Sequence, residues 1–377
     1  MNILITCFSK SWGGLEIQAL ELAVAIHARY GHAAWLACLP DSRLEQEAAA
    51  SNIPTYVFDV TGYVHPTVVF RLAKAIARNH IDIIHCQLSK DIATVVPAVK
   101  LSMADVPIVL TRSMGSYISK KDPLHQFTYG NVALVLAVSS VIHENVIATT
   151  PMQPERVLTF PYGVDTVAYD PSRTHGQSVR KDLGYTDGTV VVGCVGRISP
   201  GKGHQELLAA ASQLRSAFPH VRYLFVGEAS YGEQDYAAQV MNLRQSLGVN
   251  DITQFTGFRR DIPEVMAALD VFAFPSHAEA FGLVLIEAMA MARPVVSSNC
   301  DGVLDIVVDG ETGIMVPPRD PEALAGALRV LLKDPSLRAR MGNAGRARVL
   351  VRFEKRRLFD ELLGIYASLL RGEIPSR

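Results

Sequence analysis

The sequence is poor in cysteine and has no strong imbalance of charge. Five cysteines are scattered over 377 residues, and no two of them have the spacing of a metal-binding pair. An odd number of scattered cysteines also argues against a disulfide framework. The net charge of −1 gives no reason to expect nucleic acid or an acidic polymer as a partner. What is left is an ordinary globular protein, long enough for two or three domains.

Long apolar runs are also missing. The longest, near residues 132–142, is too short to span a bilayer and is interrupted by Ser139 and Ser140. The first residues, Met-Asn-Ile-Leu-Ile, are typical of a buried strand and not of a charged secretory signal. We therefore expect a cytoplasmic protein, and a peripheral contact with the inner membrane surface stays open.

Short apolar segments alternate with amphipathic ones along the chain. Residues 2–8 have the pattern of a buried strand, 15–30 that of an amphipathic helix, and 34–39 that of a second strand. A strand, a glycine turn, a helix and a strand in this order predict a parallel sheet. The same order begins again at Val190. The sequence thus predicts an α/β protein, although residues 309–313 have the composition of a tight hairpin turn.

Two acidic residues stand near the start of a predicted helix. Glu279 lies in the loop after an apolar strand, and Glu287 follows in the helix, with seven residues between them. The amides of Phe281, Gly282 and Leu283 would be free at the helix N-terminus, which favours an anion such as phosphate. Two carboxylates that can accept hydroxyl hydrogens beside an anion site suit a sugar nucleotide.

The string from Glu279 to Glu287 resembles the E-x7-E motif of retaining glycosyltransferases, and most of all the large nucleotide-sugar family numbered four. Members of that family have the GT-B fold, in which two Rossmann-like domains face each other across a cleft. The resemblance implies an acceptor-side domain over residues 1–168 and a nucleotide-sugar-binding domain over residues 169–354. It also implies that a C-terminal helix within residues 355–377 packs back on the first domain.

A glycine-rich loop with two cations occupies residues 196–203. It nearly matches a P-loop, but Gly203 lacks the hydroxyl that binds Mg²⁺ there, and Pro200 has no amide to donate. An NTPase is therefore disfavoured. The loop resembles the family's G-R-x-x-x-x-K-G string instead, which implies that Arg197 and Lys202 pair with the donor diphosphate.

Further donor contacts follow from the resemblance alone. Gly14 would face the diphosphate, because Gly13 and Gly14 resemble the family's N-terminal glycine loop. The backbone near Phe258 would hold the base. Glu279 would accept hydrogen bonds from sugar hydroxyls, and Glu287 from ribose hydroxyls.

The expected catalysis is electrostatic. Arg197 and Lys202 would stabilise the leaving diphosphate, with Glu279 beside the sugar. No Asp-x-Asp string occurs in the sequence, so we expect neither a metal clamp nor a cofactor. The donor would be a UDP- or GDP-sugar, and no protein nucleophile is implied.

Candidate acceptor residues follow two predicted strands of the first half. His85 and the segment after Thr111 should lie at the carboxyl ends of their strands, where ligands bind in such sheets. Family members often carry a histidine where this chain has Ser113. Arg112 or His85 could substitute for it, although a lone histidine is more often a core residue than a ligand.

Basic and aromatic residues then stand together. Lys120 and Lys121 lie close in sequence to Tyr117 and Phe127. This combination suits an anionic glycolipid or a membrane surface, and it equally suits an ordinary surface loop.

The sequence therefore predicts a retaining glycosyltransferase that moves a sugar from a nucleotide-diphospho-sugar to a hydroxyl of a glycan or glycolipid. The usual role of the family implies synthesis of cell-surface polysaccharide or lipopolysaccharide. Two alternatives stay open, namely a sugar-nucleotide 2-epimerase of the same fold and a sugar-nucleotide-binding module without catalysis. Ser113 in place of the family histidine favours the second alternative.

Overall fold

The computed structural model describes residues 1–60, 65–230 and 232–375, and the chain divides into two compact units. The first unit contains residues 1–162 together with the C-terminal segment from residue 357 onward. The second contains residues 163–356. The last two residues of the segment expected to pack back on the first domain, 376–377, lie outside the described residues.

The first unit is built on a parallel sheet of seven described strands. These are β1 (Asn2–Cys7), β2 (Ala33–Cys38), β3 (Thr55–Val57), β4 (Ile83–Cys86), β5 (Ile108–Arg112), β6 (Leu134–Ala137) and β7 (Val157–Thr159). Their order across the sheet is β3-β2-β1-β4-β5-β6-β7. The order reverses where β1 pairs with β4, with Ile3 opposite Ile83. Ligands bind beyond the carboxyl ends of the strands at such a reversal.

Helices connect these strands. They are α1 (Gly14–Arg29), α2 (Arg43–Ala50), α3 (Pro66–Arg78), α4 (Ile92–Ser102), α5 (Pro123–Gly130) and α6 (Ser140–Thr149), followed by a 3₁₀ turn at Pro154–Arg156. Several begin where the sequence supplies a cap or a proline. Asp122 caps α5 by accepting from the amides of Leu124 and His125, and proline is the first residue of α3 and of α5.

The second unit repeats the plan with a parallel sheet of six described strands. These are β8 (Val190–Val195), β9 (Val221–Val226), β10 (Thr253–Phe255), β11 (Val271–Phe274), β12 (Val295–Ser298) and β13 (Gly313–Val316). Their order is β10-β9-β8-β11-β12-β13, so the reversal lies between β8 and β11. The prediction of two α/β units with parallel sheets is therefore confirmed.

The helices of the second unit come from the remaining amphipathic segments. They are α7 (Gln177–Asp182), α8 (His204–Leu214), α9 (Gln234–Ser246), α10 (Ile262–Ala268), α11 (Leu283–Ala290), α12 (Val303–Ile306), α13 (Pro321–Lys333) and α14 (Pro335–Arg352). Helix α8 buries Leu207, Leu208 and Leu214 against the sheet. Burying an aliphatic side chain of this size contributes roughly 1.5–3 kcal/mol to folding.

The last helix, α15 (Lys355–Leu370), packs on the first unit. Leu362, Ile365 and Tyr366 join the apolar core formed by β1, β2 and α1. The Tyr366 side chain is fully buried, and its hydroxyl lies 2.5 Å from Nδ1 of His85 on β4. A polar contact inside an apolar core fixes the position of this helix on the sheet.

The predicted hairpin at residues 309–313 is wrong. The turn itself forms, with the Gly310 amide donating to the Gly313 carbonyl over 2.8 Å. However, β13 after the turn pairs in parallel with β12, with Val295 opposite Gly313. A turn-rich composition specifies a chain reversal but not the partner of the strand that follows. Here the buried edge of β12 supplies the partner.

Candidate functional site

Two loops of the second unit leave neighbouring strands at the same edge of the sheet. Loop 196–203 follows β8, and loop 275–282 follows β11. The two strands pair directly, with Phe272 opposite Gly193, and the strand order reverses between them. The fold therefore brings together the two segments that carry the predicted diphosphate contacts and the E-x7-E string.

The backbones of these loops touch. Gly203 has a φ of +75°, and a Cβ added to it would lie 2.1 Å from the carbonyl oxygen of Pro275. The His277 amide donates to the Gly201 carbonyl over 2.8 Å. Only glycine allows both the left-handed conformation and this approach. The glycine at position 203, which argues against a P-loop in the sequence, thus has a packing role.

Lys202 and Glu279 form an ion pair between the loops. The Lys202 Nζ atom lies 2.6 Å from Oε2 of Glu279, and their side chains are 28% and 18% exposed. The Glu279 backbone is held as well, since its amide donates to Oδ2 of Asp301 and its carbonyl accepts from the Gly302 amide. A charge-assisted hydrogen bond in a partly buried place is screened less than a surface pair. Two of the three predicted catalytic residues, Lys202 and Glu279, therefore occupy one fixed arrangement.

Arg197 lies in the same loop but is exposed and does not contact that pair. Its Nη1 atom donates to Oγ of Ser230 over 3.0 Å. Ser230 in turn is held by Glu233, which accepts from the Ser230 amide and from the Ser199 hydroxyl. The hydrogen bond from Ser199, followed by that from Ser230, lowers the pKa of the Glu233 carboxyl. The guanidinium is thus positioned by a neutral partner.

The N-terminus of α11 has no side-chain cap. Gly282 occupies the N-cap position with a φ of +100°, a conformation that favours glycine. The amides of Leu283 and Val284 have no hydrogen-bond partner among the described residues. They carry the partial positive charge of a helix N-terminus, close in the chain to Glu279. This end of the helix can receive an anion.

The remaining predicted donor residues differ in exposure. Glu287 is half-buried in α11. Phe258 is 47% exposed in the loop after β10. Phe281 is 3% exposed and packs edge-on against Phe353, so its side chain belongs to the core and only its backbone can meet a ligand. Gly14 is the first residue of α1 in the first unit.

His85, a predicted acceptor residue, is a core residue instead. Its side chain is 2% exposed, and both ring nitrogens have partners, Nδ1 with the Tyr366 hydroxyl and Nε2 with the Thr111 hydroxyl at 2.7 Å. Burial lowers the pKa of its imidazole to about 3. With no free nitrogen, the neutral ring links β4, β5 and α15 and is not available to a ligand.

The other acceptor candidates lie at or after the end of β5. Arg112 is 4% exposed, and its Nη1 atom donates to the Tyr129 hydroxyl. Ser113 is half-buried and lies near Tyr162, whose hydroxyl pKa is raised by burial. Lys120 is half-buried, whereas Lys121 is exposed.

Asp91 is a buried acid that the sequence analysis missed. Its Oδ2 atom accepts from the Thr6 hydroxyl over 3.0 Å and from the Phe8 amide over 3.4 Å, and Oδ1 has no partner within the described ranges. Burial raises the pKa of its carboxyl to about 7. The residue lies at the reversal of strand order in the first sheet. Its sequence signal is weak, since a single Asp before an apolar helix is also an ordinary cap.

The described residues contain neither a metal-binding cluster nor a membrane-spanning helix. No group of three His, Cys, Asp or Glu side chains in ranges 1–60, 65–230 and 232–375 is arranged to hold a metal ion. Within the same ranges, no helix has the length and apolar character needed to cross a membrane.

Family models match both halves of the chain. The model described as "Glycosyl transferases group 1" matches residues 177–348. The model described as "Glycosyltransferase Family 4" matches residues 12–168. The first match includes loop 196–203 and the E-x7-E string, and the second includes β5 and the residues after it.

Curated relatives carry glycosyltransferase names. The D-inositol 3-phosphate glycosyltransferase of Stackebrandtia nassauensis is 32% identical over 282 residues, which cover 73% of this chain and 61% of the relative. The capsular polysaccharide biosynthesis glycosyltransferase CapM of Staphylococcus aureus is 35% identical over 185 residues, which cover 48% of this chain and 47% of the relative. The chain thus spans about half to three fifths of the length of these relatives.

A solved structure extends the likeness to nearly the whole chain. HepE (Alr3699) of Anabaena, in complex with UDP and glucose, superposes with a TM-score of 0.83 at 25% identity, over 98% of this chain and 100% of that one. The matching models, relatives and fold agree with the E-x7-E resemblance. The chain belongs to the family-four, group 1 glycosyltransferases, whose fold is GT-B.

Proposed function

We propose that the protein is a retaining glycosyltransferase that transfers a sugar from a nucleotide-diphospho-sugar to a hydroxyl of a glycan or glycolipid. The observation that carries the proposal is the ion pair of Lys202 with Glu279, 2.6 Å apart, beside the N-terminus of α11, where no described side chain caps the helix. A cation, free amides and a carboxylate lie together at one edge of the sheet, and they match the three requirements for binding and activating such a donor. These are a site for the diphosphate, charge for the leaving group and an acceptor for sugar hydroxyls.

The cations would act on the leaving group. As the bond between the sugar and the diphosphate breaks, negative charge grows on the phosphate oxygen, and donors already in place stabilise that charge most. Lys202 has three ammonium hydrogens, so it can keep its bond to Glu279 while it donates to the diphosphate. Arg197, held by the Ser230 hydroxyl, would add a planar donor pair.

The carboxylates would orient the sugar and the ribose. Only Oε2 of Glu279 is paired with Lys202, so Oε1 can accept from a sugar hydroxyl. Glu287 stands about one helical turn into α11, half-buried, and would accept from the ribose hydroxyls. In this proposal Glu279 has two functions, since it positions both the lysine and the substrate.

Retention of configuration needs no protein nucleophile in this scheme. The acceptor hydroxyl attacks the anomeric carbon on the face that the diphosphate leaves. The bond from carbon to the phosphate oxygen breaks, and the hydroxyl proton passes to that departing oxygen. The role of the protein is to hold the two substrates and to stabilise the leaving charge.

Two similar proteins, HepE and CapM, support a choice of sugar donor and of biological role. HepE was solved with UDP and glucose, which favours a UDP-sugar over a GDP-sugar as the donor here. The capsular polysaccharide name of CapM supports a place in the synthesis of cell-surface glycans. If the acceptor is lipid-linked, the protein would act at the cytoplasmic surface of the membrane.

A panel of nucleotides and sugar nucleotides tests the proposal. Thermal shifts with UDP and GDP would identify the base, and incubation with the matching donors would reveal slow hydrolysis to free sugar and nucleoside diphosphate. Hydrolysis supports the transferase. Epimerisation at C2 would favour an epimerase, binding without turnover a binding module, and no binding at all would refute the proposed donor.

A further inference from the structure

Arg112 is a buried cation without an acidic partner. It ends β5, and its side chain is 4% exposed. The Nη1 atom donates to the Tyr129 hydroxyl over 3.3 Å, while the buried Nε atom has no partner in the described part of the chain. No carboxylate among the described residues lies within ion-pair distance of the guanidinium.

This arrangement is costly unless an anion completes it. A guanidinium removed from water loses hydration that one long hydrogen bond to a neutral hydroxyl does not replace. Burial raises the pKa of the Tyr129 hydroxyl, so this partner stays neutral. Arg112 therefore has donor capacity that none of the described residues uses, at the strand end where parallel sheets bind ligands.

A second cation lies beside it. Lys120 is half-buried and also lacks an acidic partner among the described residues. Burial lowers the pKa of its ammonium, and the charge of Arg112 lowers it further. Two like charges held together and partly desolvated destabilise the site until a negative group binds.

The loop that holds Lys120 near Arg112 is well defined. The Lys120 amide donates to the Thr149 carbonyl over 2.7 Å. The Ser116 amide donates to Oδ1 of Asn145, and Nδ2 of Asn145 donates to the Ser116 carbonyl. These bonds tie the segment after β5 to α6, so the proximity of the cations is a property of the fold.

We propose that Arg112 and Lys120 form a binding site for a phosphate group carried by the acceptor. The guanidinium offers a planar set of donors and the ammonium a point charge, a combination that suits a tetrahedral oxyanion. This assignment rests on the proposed glycosyl transfer and names the class of acceptor, a phosphorylated sugar or polyol or a phospholipid. In this proposal the acceptor is bound at the carboxyl end of β5, and the buried His85 takes no part.

Titration of the full chain with inorganic phosphate tests the site. Lys120→Ala should weaken phosphate binding roughly tenfold, because it removes one charged donor. Lys121→Ala is the matched control, since it removes the same charge from the exposed neighbouring residue and should leave the affinity unchanged. Arg112→Gln should also weaken binding, and Lys120→Ala keeps the test valid if that variant fails to fold.

Loop 196–203 is a second place where phosphate could bind. The titrations are therefore repeated with variants that also carry Lys202→Ala. In that background, a loss of phosphate affinity on adding Lys120→Ala supports the proposal. It is overturned if the wild type binds no phosphate, if only Lys202→Ala weakens binding, or if Lys120→Ala and Lys121→Ala behave alike.

Two further arms identify the source of the phosphate. Glycerol 3-phosphate represents a soluble acceptor, and vesicles of phosphatidylglycerol, with phosphatidylcholine vesicles as reference, represent a lipid. If Lys120→Ala weakens binding to one of these probes more than Lys121→Ala does, that probe represents the source of the phosphate. Equal losses of vesicle binding in the two variants would show only general attraction to anionic lipid and would count against the site. None of these readouts uses the sugar donor, so they can fail while donor hydrolysis succeeds, or the reverse.

Discussion

The Nζ atom of Lys202 lies 2.6 Å from Oε2 of Glu279, although 77 positions separate the two residues in the sequence. The contact exists because β8 and β11 are neighbours at the point where the strand order reverses. It fixes the position of the lysine from within the protein. A charge fixed in advance is the form in which a protein stabilises a leaving group most effectively.

The approach of the two loops predicts different effects for two glycines of one loop. Gly203→Ala should destabilise the second unit by roughly 2–5 kcal/mol, because the new Cβ meets the Pro275 carbonyl and the residue is left-handed. Gly201→Ala should cost only about 1–2 kcal/mol, because its φ is also positive but no atom lies within 4 Å of the added Cβ. Guanidinium unfolding would measure both. Equal losses would contradict the packing role of Gly203.

Catalysis without a metal predicts insensitivity to chelation. If Arg197, Lys202 and the amides of α11 supply the charge, donor hydrolysis should proceed unchanged in EDTA. The measurement is the initial rate before and after treatment with EDTA, and again after Mg²⁺ or Mn²⁺ is added. Complete loss of activity, restored by either metal, would refute a metal-free clamp.

The buried His85 predicts a pH-dependent loss of stability. Its folded pKa is lowered to about 3, from 6.5, so between these values only the unfolded chain binds the proton. The contribution of this residue is therefore present above pH 6.5 and falls with decreasing pH, by up to about 1.4 kcal/mol per unit. His85→Gln removes this titration. The difference in free energy of unfolding between wild type and His85→Gln should decrease by about 2 kcal/mol from pH 6.5 to pH 5. A difference that does not change with pH would show that the ring does not titrate in this way.

The sequence was sufficient for the repeated α/β plan and for the segments of the candidate donor site. Apolar runs bounded by glycine loops are a local signal, and they identified β1, β8 and β11. The pairing of Lys202 with Glu279 could not be derived in the same way. It depends on strand order, which arises from packing between distant segments.

The misses have equally specific reasons. His85 is paired with Tyr366, 281 positions away, so no local pattern distinguishes it from a ligand. Helix α2 was missing from the prediction although its cap is visible, since the Ser42 side chain accepts from the Glu45 amide. The role proposed for Arg112 is also invisible in the sequence, because it rests on the finding that no carboxylate of the described residues lies near this buried guanidinium.

The central claim is that Arg197 and Lys202 stabilise a leaving diphosphate. Its most direct test is the rate of nucleoside diphosphate release from the sugar donor by wild type, Arg197→Ala and Lys202→Ala. We expect each variant to lose roughly 10²–10³ in rate, by analogy with the loss of one oxyanion donor. Lys333→Ala and Arg340→Ala, which remove the same charges from exposed positions on α13 and α14, should match the wild type. Near-wild-type release by both Arg197→Ala and Lys202→Ala would show that loop 196–203 is a plain turn and would contradict the account.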